Sequence, residues 1–213
     1  MIAHLDDTAN SVHLLLFARY PELGRVKTRL AAGIGDEAAL AVYQELLAHT
    51  FAVTTNITAH KTLWLAGPPV APVALPEISN KYEQVYQSAG DLGQKMQAAF
   101  AHAFAAGATA ALIIGTDCPG LTPQLLTEAY ALLATHDVVI GPAEDGGYYL
   151  LGMRELYVDL FANKSWSTDS VLAHTLADAD RLGLQVAELP TLRDVDDIDD
   201  LRAWRAGSGA NSA

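Results

Sequence analysis

The 213-residue chain sets 13 Lys and Arg against 25 Asp and Glu, a formal net charge of −12, in a composition that is 51% hydrophobic. That balance excludes a dedicated binder of polymeric nucleic acid or of an anionic membrane surface, since both need clustered positive charge. The length suits one domain, or at most two small ones, with core enough to need no disulfide or structural metal; the single Cys excludes an intrachain disulfide and fits the reducing cytoplasm.

Residues 1–11 (MIAHLDDTANS) hold two Asp and no Lys or Arg, so they lack the basic start of a secretory signal. They read as a frayed extension ahead of one domain spanning 12–206. From there, apolar runs of strand length alternate with amphipathic runs of helix length, the pattern of an α/β protein with a largely parallel sheet. Strands are predicted at 12–18, 61–66, 83–87, 110–115, 137–141, 147–152 and 185–189. Helices are predicted at 36–53 behind an Asp36 cap, 91–106 behind Asp91, 122–135 with Thr122 as cap and Pro123 in first position, 168–182 and 197–206. The Pro-rich stretch 67–76 is a loop, and 207–213 is a flexible tail too small and polar to pack. Residues 98–116 (AAFAHAFAAGATAALIIGT) could pass for a membrane span, but Gly107 divides an Ala-rich half from a β-branched half and no basic flank follows. A helix, a turn and a buried strand account for them.

Four segments could carry chemistry. In FARYPELGRVKTRL, residues 17–30, Arg19, Arg25, Lys27 and Arg29 are opposed only by Glu22. A strand opening into such a loop suits a polyphosphate clamp, with Gly24 allowing close backbone approach; a solvated basic turn is the alternative. Neither a Walker loop nor G-x-G-x-x-G is present. In GTDCPGL, residues 115–121, Asp117 follows the most apolar strand, where an ionised carboxylate is costly without a cation. Its hard oxygen suits Mg²⁺ or Mn²⁺, while an Asp that merely organises the turn is the plainer reading. Cys118 reads as a packing residue.

RDVDDIDDLR, residues 193–202, places five Asp within seven positions. Asp199 and Asp200 suit a helix N-terminus, whereas Asp194 and Asp196 alternate on one side of an extended chain and could aim at the site of Asp117. GPAEDGGYYLLG, residues 141–152, is a hairpin signal, a substrate loop, or both. SWSTDS, residues 165–170, reads as a helix cap with Trp166 packing, and SAGDLGQKM, residues 88–96, as a loop and helix start.

Together, FARYPELGRVKTRL, GDLGQKM, GTDCPGL, GPAEDGGYYLLG, WST and DVDDIDDL resemble the nucleotide-diphospho-sugar transferase superfamily of GT-A fold. More narrowly, they resemble a bacterial family often labelled glycosyltransferase, related to the phospholactate and molybdenum-cofactor guanylyltransferases. The resemblance covers residues 12–203. It implies a three-layer α/β/α sandwich with a mostly parallel, mixed central sheet. It also implies a nucleotide pocket in which Arg19, Lys27 and Arg29 contact phosphates beside Gly24 and Thr28, with Asp91, Leu92 and Gly93 near the nucleoside. Asp117 matches the superfamily's metal-binding acid and Asp196 the second ligand, in a D-x-D motif from which this chain departs at Asp197 and Ile198. Asp145, Gly146, Gly147, Tyr148, Trp166, Ser167 and Thr168 would border the acceptor.

The implied enzyme is a metal-dependent transferase working on a nucleotide or nucleotide sugar and a small-molecule acceptor. Lys27, Arg29 and Asp117 would be its catalytic groups, with Asp145 as candidate base. The basic loop suits a triphosphate, and Thr116-Asp117-Cys118 lacks the D-x-D of many glycosyltransferases, so nucleotidyl transfer is the expectation ahead of glycosyl transfer. A non-catalytic nucleotide-binding module is the reading from another class.

Overall fold

A computed structural model describes residues 12–70 and 74–210, the side chains of 208–210 excepted. The expected extension at 1–11 and the last three residues lie outside the described residues. Strand β1 (Val12–Ala18) leads through the short α1 (Thr28–Ile34) and the long α2 (Asp36–Thr55) to β2 (His60–Leu65) and β3 (Glu83–Tyr86). Then follow α3 (Leu92–Ala105), β4 (Ala110–Ile114), α4 (Pro123–Leu132), β5 (Val138–Pro142), β6 (Tyr148–Met153), α5 (Val171–Arg181), β7 (Val186–Glu188) and α6 (Ile198–Ala210).

The strands form one sheet in the order β3-β2-β1-β4-β6-β5-β7. All neighbours pair in parallel except β6, which runs antiparallel to β4 and β5. The mixed α/β sandwich expected from the sequence is therefore the fold. Alternation along β1 sends Leu14 and Leu16 to one face, packed with Tyr43, Leu47 and Phe51 of α2, and Leu15 to the other, packed with Met96 and Phe100 of α3. All five residues of β4 are buried, as a parallel strand covered on both faces requires. A third cluster joins Leu30 of α1, Val42 and Leu46 of α2, and Val195, with Ile198, Leu201 and Trp204 of α6 packed against it. From β1 the chain first winds outward through β2 and β3, then returns to lay β4 on the other side of β1. Where winding direction reverses, the loops beyond the strand ends diverge and leave a crevice, which sets the site beyond β1 and β4.

Residues 98–116 are the end of α3, a turn at Gly107 with φ of 91°, and β4; among the described residues no helix is long and apolar enough to cross a membrane. Asp91 and Gln94 form the capping box of α3, and Thr122 Oγ1 accepts from the Leu125 amide at the start of α4. Two expectations need correction, and one helix was missed. Asp36 is the first residue of α2 rather than its cap; Gly35 precedes it at φ 85°. Helix α1 was not legible, because it begins without a side-chain cap and is only seven residues long. Helix α6 continues to Ala210, so residues 207–210 are helical, since each added residue extends a ladder already nucleated by the packed first turns.

Candidate active site

A cavity of about 710 Å³ opens at this crevice. On one side the loop after β1 is pinned to α2: the Arg19 amide donates to Tyr43 Oη, which donates to the Arg19 carbonyl, both at 2.9 Å. Gly24 supplies a φ of 71° for the following turn but does not line the cavity. Its observed contribution is to the turn. The turn brings Arg25, Lys27, Thr28 and Arg29 to the wall, with Arg19 beside them.

The opposite wall carries acids. Asp117 follows β4, and the chain leaving β7 runs alongside β5, where the Leu192 amide donates to Pro142 O at 3.0 Å. It then crosses to the end of β4, where the Val195 amide donates to Asp117 O at 2.9 Å. That bond brings Asp194 and Asp196, on either side of Val195, into the cavity with Asp117. The rest of the acidic run builds the helix start: Asp197 Oδ1 accepts from the amides of Asp199 and Asp200, and Asp200 Oδ2 from those of Asp196 and Asp197.

Lys27 joins the two walls. Its side chain is only 4% exposed, and Nζ lies 2.5 Å from Asp117 Oδ1 and 2.9 Å from Asp196 Oδ1. Arg29 reaches Asp196 Oδ2 at 2.5 Å from a largely exposed position. Burial alone would depress the Lys27 pKa, but Asp117 and Asp196 outweigh it and hold the ammonium above its ordinary range. Burial would raise Asp196, yet Lys27 and Arg29 hold it below the usual carboxylate range.

Asp194 is the exception. Burial first, then the charges of Asp117, Asp196 and Asp145, push its carboxyl up to about 7, and its buried Oδ1 has no hydrogen-bond partner among the described residues. Because the folded protein holds this proton more tightly than the unfolded chain, the stabilising contribution is full below about pH 4 and is lost as pH rises through about 7. Asp194→Asn is therefore expected to raise Tm at pH 8 in metal-free buffer, by about 2–4 °C for each kcal/mol relieved, with little effect at pH 4. Thermal unfolding at the two pH values checks this; an unchanged Tm at pH 8 would mean that the buried charge carries no strain.

The donor chemistry fits a hard divalent cation, since the three acids are oxygen ligands and Asp194 Oδ1 has no hydrogen-bond partner among the described residues. Among the described residues, however, no three His, Cys, Asp or Glu side chains stand ready as a metal cage, and the gap between Asp117 and Asp196 is filled by Lys27.

Beyond the acids, Asp91, Leu92, Tyr148 and Ser167 line the cavity, whereas Gly93, Asp145, Gly146, Gly147, Trp166 and Thr168 do not. Gly93 makes room for the Trp166 indole, which a Cβ there would meet at 2.3 Å. Asp145 Oδ1 accepts from the Gly147 amide, and Gly146 sits at φ 86° against the Asp169 carbonyl, so this trio shapes the β5–β6 hairpin. Thr168 Oγ1 donates to Ser165 O. Cys118 is buried, its thiol pushed up to about 12 by burial and by Asp194, which leaves it a packing residue. Sequence reasoning missed Tyr43, Gln87 and Lys95, which also line the cavity; Tyr43 and Gln87 stand outside any local motif, whereas Lys95 lies within GDLGQKM but was not singled out there.

Residues 48–168, more than half the chain, match a family described as "Uncharacterized protein conserved in bacteria (DUF2064)". No functionally curated protein matches the chain. Among solved structures, a protein of Desulfovibrio desulfuricans G20, provisionally described as a nucleotide-diphospho-sugar transferase, is 30% identical over 95% of this chain and 90% of its own, with a TM-score of 0.88. Rv0371c from Mycobacterium tuberculosis H37Rv, crystallised with manganese, is 18% identical over 92% of this chain and 97% of its own, at a TM-score of 0.58. A 4-diphosphocytidyl-2C-methyl-D-erythritol synthase from Anaerococcus prevotii DSM 20548 is 11% identical over 94% and 96%, at 0.57. The last two share the fold with this chain.

Proposed function

The chain belongs to the bacterial DUF2064 family and has the nucleotide-diphospho-sugar transferase fold, and from that premise we propose that it transfers a nucleotidyl group. The donor is a nucleoside triphosphate, the acceptor a small phosphorylated or carboxylated molecule, and pyrophosphate leaves. One observation carries the reading: Arg19, Arg25, Lys27 and Arg29 face Asp117, Asp194 and Asp196 across a single cavity. The single buried Cys suits a reducing compartment, so the cytoplasm is the proposed setting.

In the proposed reaction an acceptor oxygen attacks the α-phosphorus and the bond to the bridging oxygen of the β-phosphate breaks. An ionised phosphate or carboxylate acceptor needs no deprotonation, which agrees with the position of Asp145 outside the cavity lining. Lys27, Arg29, Arg19 and Arg25 bind and orient the triphosphate and offset the charge that gathers on pyrophosphate, so their contribution is positioning and electrostatic stabilisation. Asp117, Asp194 and Asp196 would hold a Mg²⁺ or Mn²⁺ ion, which when bound supplies Lewis-acid neutralisation of phosphate oxygens. Asp91 and Leu92, at the start of α3, border the nucleoside in this reading, and Tyr148 and Ser167 the acceptor.

Glycosyl transfer from a nucleotide sugar is the second reading, favoured by the description of the Desulfovibrio relative. Incubation with Mn²⁺ and panels of nucleoside triphosphates and nucleotide sugars separates the two. Pyrophosphate release from at least one triphosphate is expected. Sugar release from a nucleotide sugar, with no pyrophosphate from any triphosphate, would overturn nucleotidyl transfer; binding without turnover of either panel would leave a non-catalytic module.

A further inference from the structure

We propose that Lys27 is the resident counter-ion of the metal-free site and competes with the divalent cation for Asp117 and Asp196. Loading the cation then expels the ammonium toward the substrate phosphates. This rests on the reading above for its destination, but the competition itself concerns only this chain and a metal.

The geometry is that of a cation site already filled. Lys27 Nζ lies within 3 Å of an oxygen from each acid, and the side chain is 4% exposed. Two half-exposed carboxylates that converge on one point repel each other unless positive charge lies between them. With Lys27 in place they have it. An ammonium and a divalent ion cannot share that point: even at an effective dielectric of about 20, a single pair of like charges 4 Å apart costs about 4 kcal/mol. One of them must leave.

Lys27 is built to be the one that moves. Its backbone, at φ 47° and ψ 44°, is held as the first residue ahead of α1, where its carbonyl accepts from the Ala31 amide at 2.8 Å. The flexible four-carbon stem can swing the ammonium about this anchor without refolding the loop. Arg25, Thr28 and Arg29 on the same wall give it an adjacent place for a polyanion. Arg29 meets Asp196 through Oδ2 from an exposed position, so it can stay while Lys27 departs. Cation and triphosphate would thereby favour each other's binding through one side chain, because the ion releases the group that the phosphates then engage.

Mn²⁺ binding to nucleotide-free protein, measured by calorimetry or by the electron paramagnetic resonance of free Mn²⁺, tests the competition. Lys27→Met removes the charge and keeps the bulk, and it is expected to bind Mn²⁺ at least ~10-fold more tightly than wild type, a gain of about 1.4 kcal/mol. Equal or weaker binding would overturn the proposal. If the variant does not fold, the wild type still decides. The Lys27 ammonium, slow to exchange because it is buried and paired, should give a proton–nitrogen correlation that saturating Mg²⁺ abolishes or shifts. Its persistence unchanged would refute displacement. No nucleotide is present in either experiment, so tightened Mn²⁺ binding without pyrophosphate release would retain the competition and remove nucleotidyl transfer; the converse pair of results would do the opposite.

Discussion

Asp117→Asn is expected to lower triphosphate-dependent pyrophosphate release by about 10²–10³-fold, the usual consequence of removing one preorganised electrostatic group from a transition state. The substitution preserves shape. The backbone bond from the Val195 amide to Asp117 O, which carries the acidic segment across the end of β4, does not involve the side chain. Lys27 keeps Asp196 as a partner, so folding should survive. What is lost is one negative charge at the point where the acids and the basic loop meet, and with it one of the three carboxylates proposed to hold a divalent ion. Steady-state kinetics together with a melting curve give the answer. A loss below tenfold in a variant of unchanged Tm would remove Asp117 from the chemistry and return it to the simpler role of a turn residue.

Phe100→Ala is expected to cost about 3–5 kcal/mol of folding stability, a large part of the ~5–15 kcal/mol typical of a folded protein. Phe100 is fully buried at the centre of the α3 face. Its ring stacks on Phe104 with centroids 6.3 Å apart and lies 6.0 Å from Phe161, so truncation opens a hole between α3, the sheet and the segment after β6. The first turn of α3 borders the cavity through Leu92 and Lys95, which ties this packing to the site. Urea unfolding measures the loss as a lower midpoint at similar slope. A cost under about 1 kcal/mol would mean that the neighbouring rings collapse into the space.

The acids of the site were largely legible. Asp117 stands out because an ionisable residue ends the most apolar strand, and the alternation of Asp194 and Asp196 around Val195 foretells that both face one way. Which of the two keeps an unpartnered oxygen among the described residues was not legible. Asp196 was preferred as metal ligand, yet it is the one neutralised by Lys27 and Arg29, while Asp194 is left with an unpaired buried oxygen. The glycine-rich and Trp-containing segments lie near the cavity, but only part of them lines it. Gly93 and Trp166 are close in space, but they pack on each other rather than line the cavity. A glycine that admits a ligand and a glycine that admits an indole leave the same mark in a sequence.

The order and kind of most elements, the mixed α/β class, the buried β4 strand and the basic loop after β1 followed from the sequence alone. Periodicity, capping and charge density act over a few residues, and neighbouring residues suffice to express them. The pairing that defines the site did not follow. Lys27 and Asp196 are 169 positions apart, and they meet because β4 lies beside β1 in the sheet order and the chain after β7 crosses its end. Contacts of that range depend on how strands are ordered and loops are crossed. Only the tertiary structure therefore decided that a lysine lies between Asp117 and Asp196.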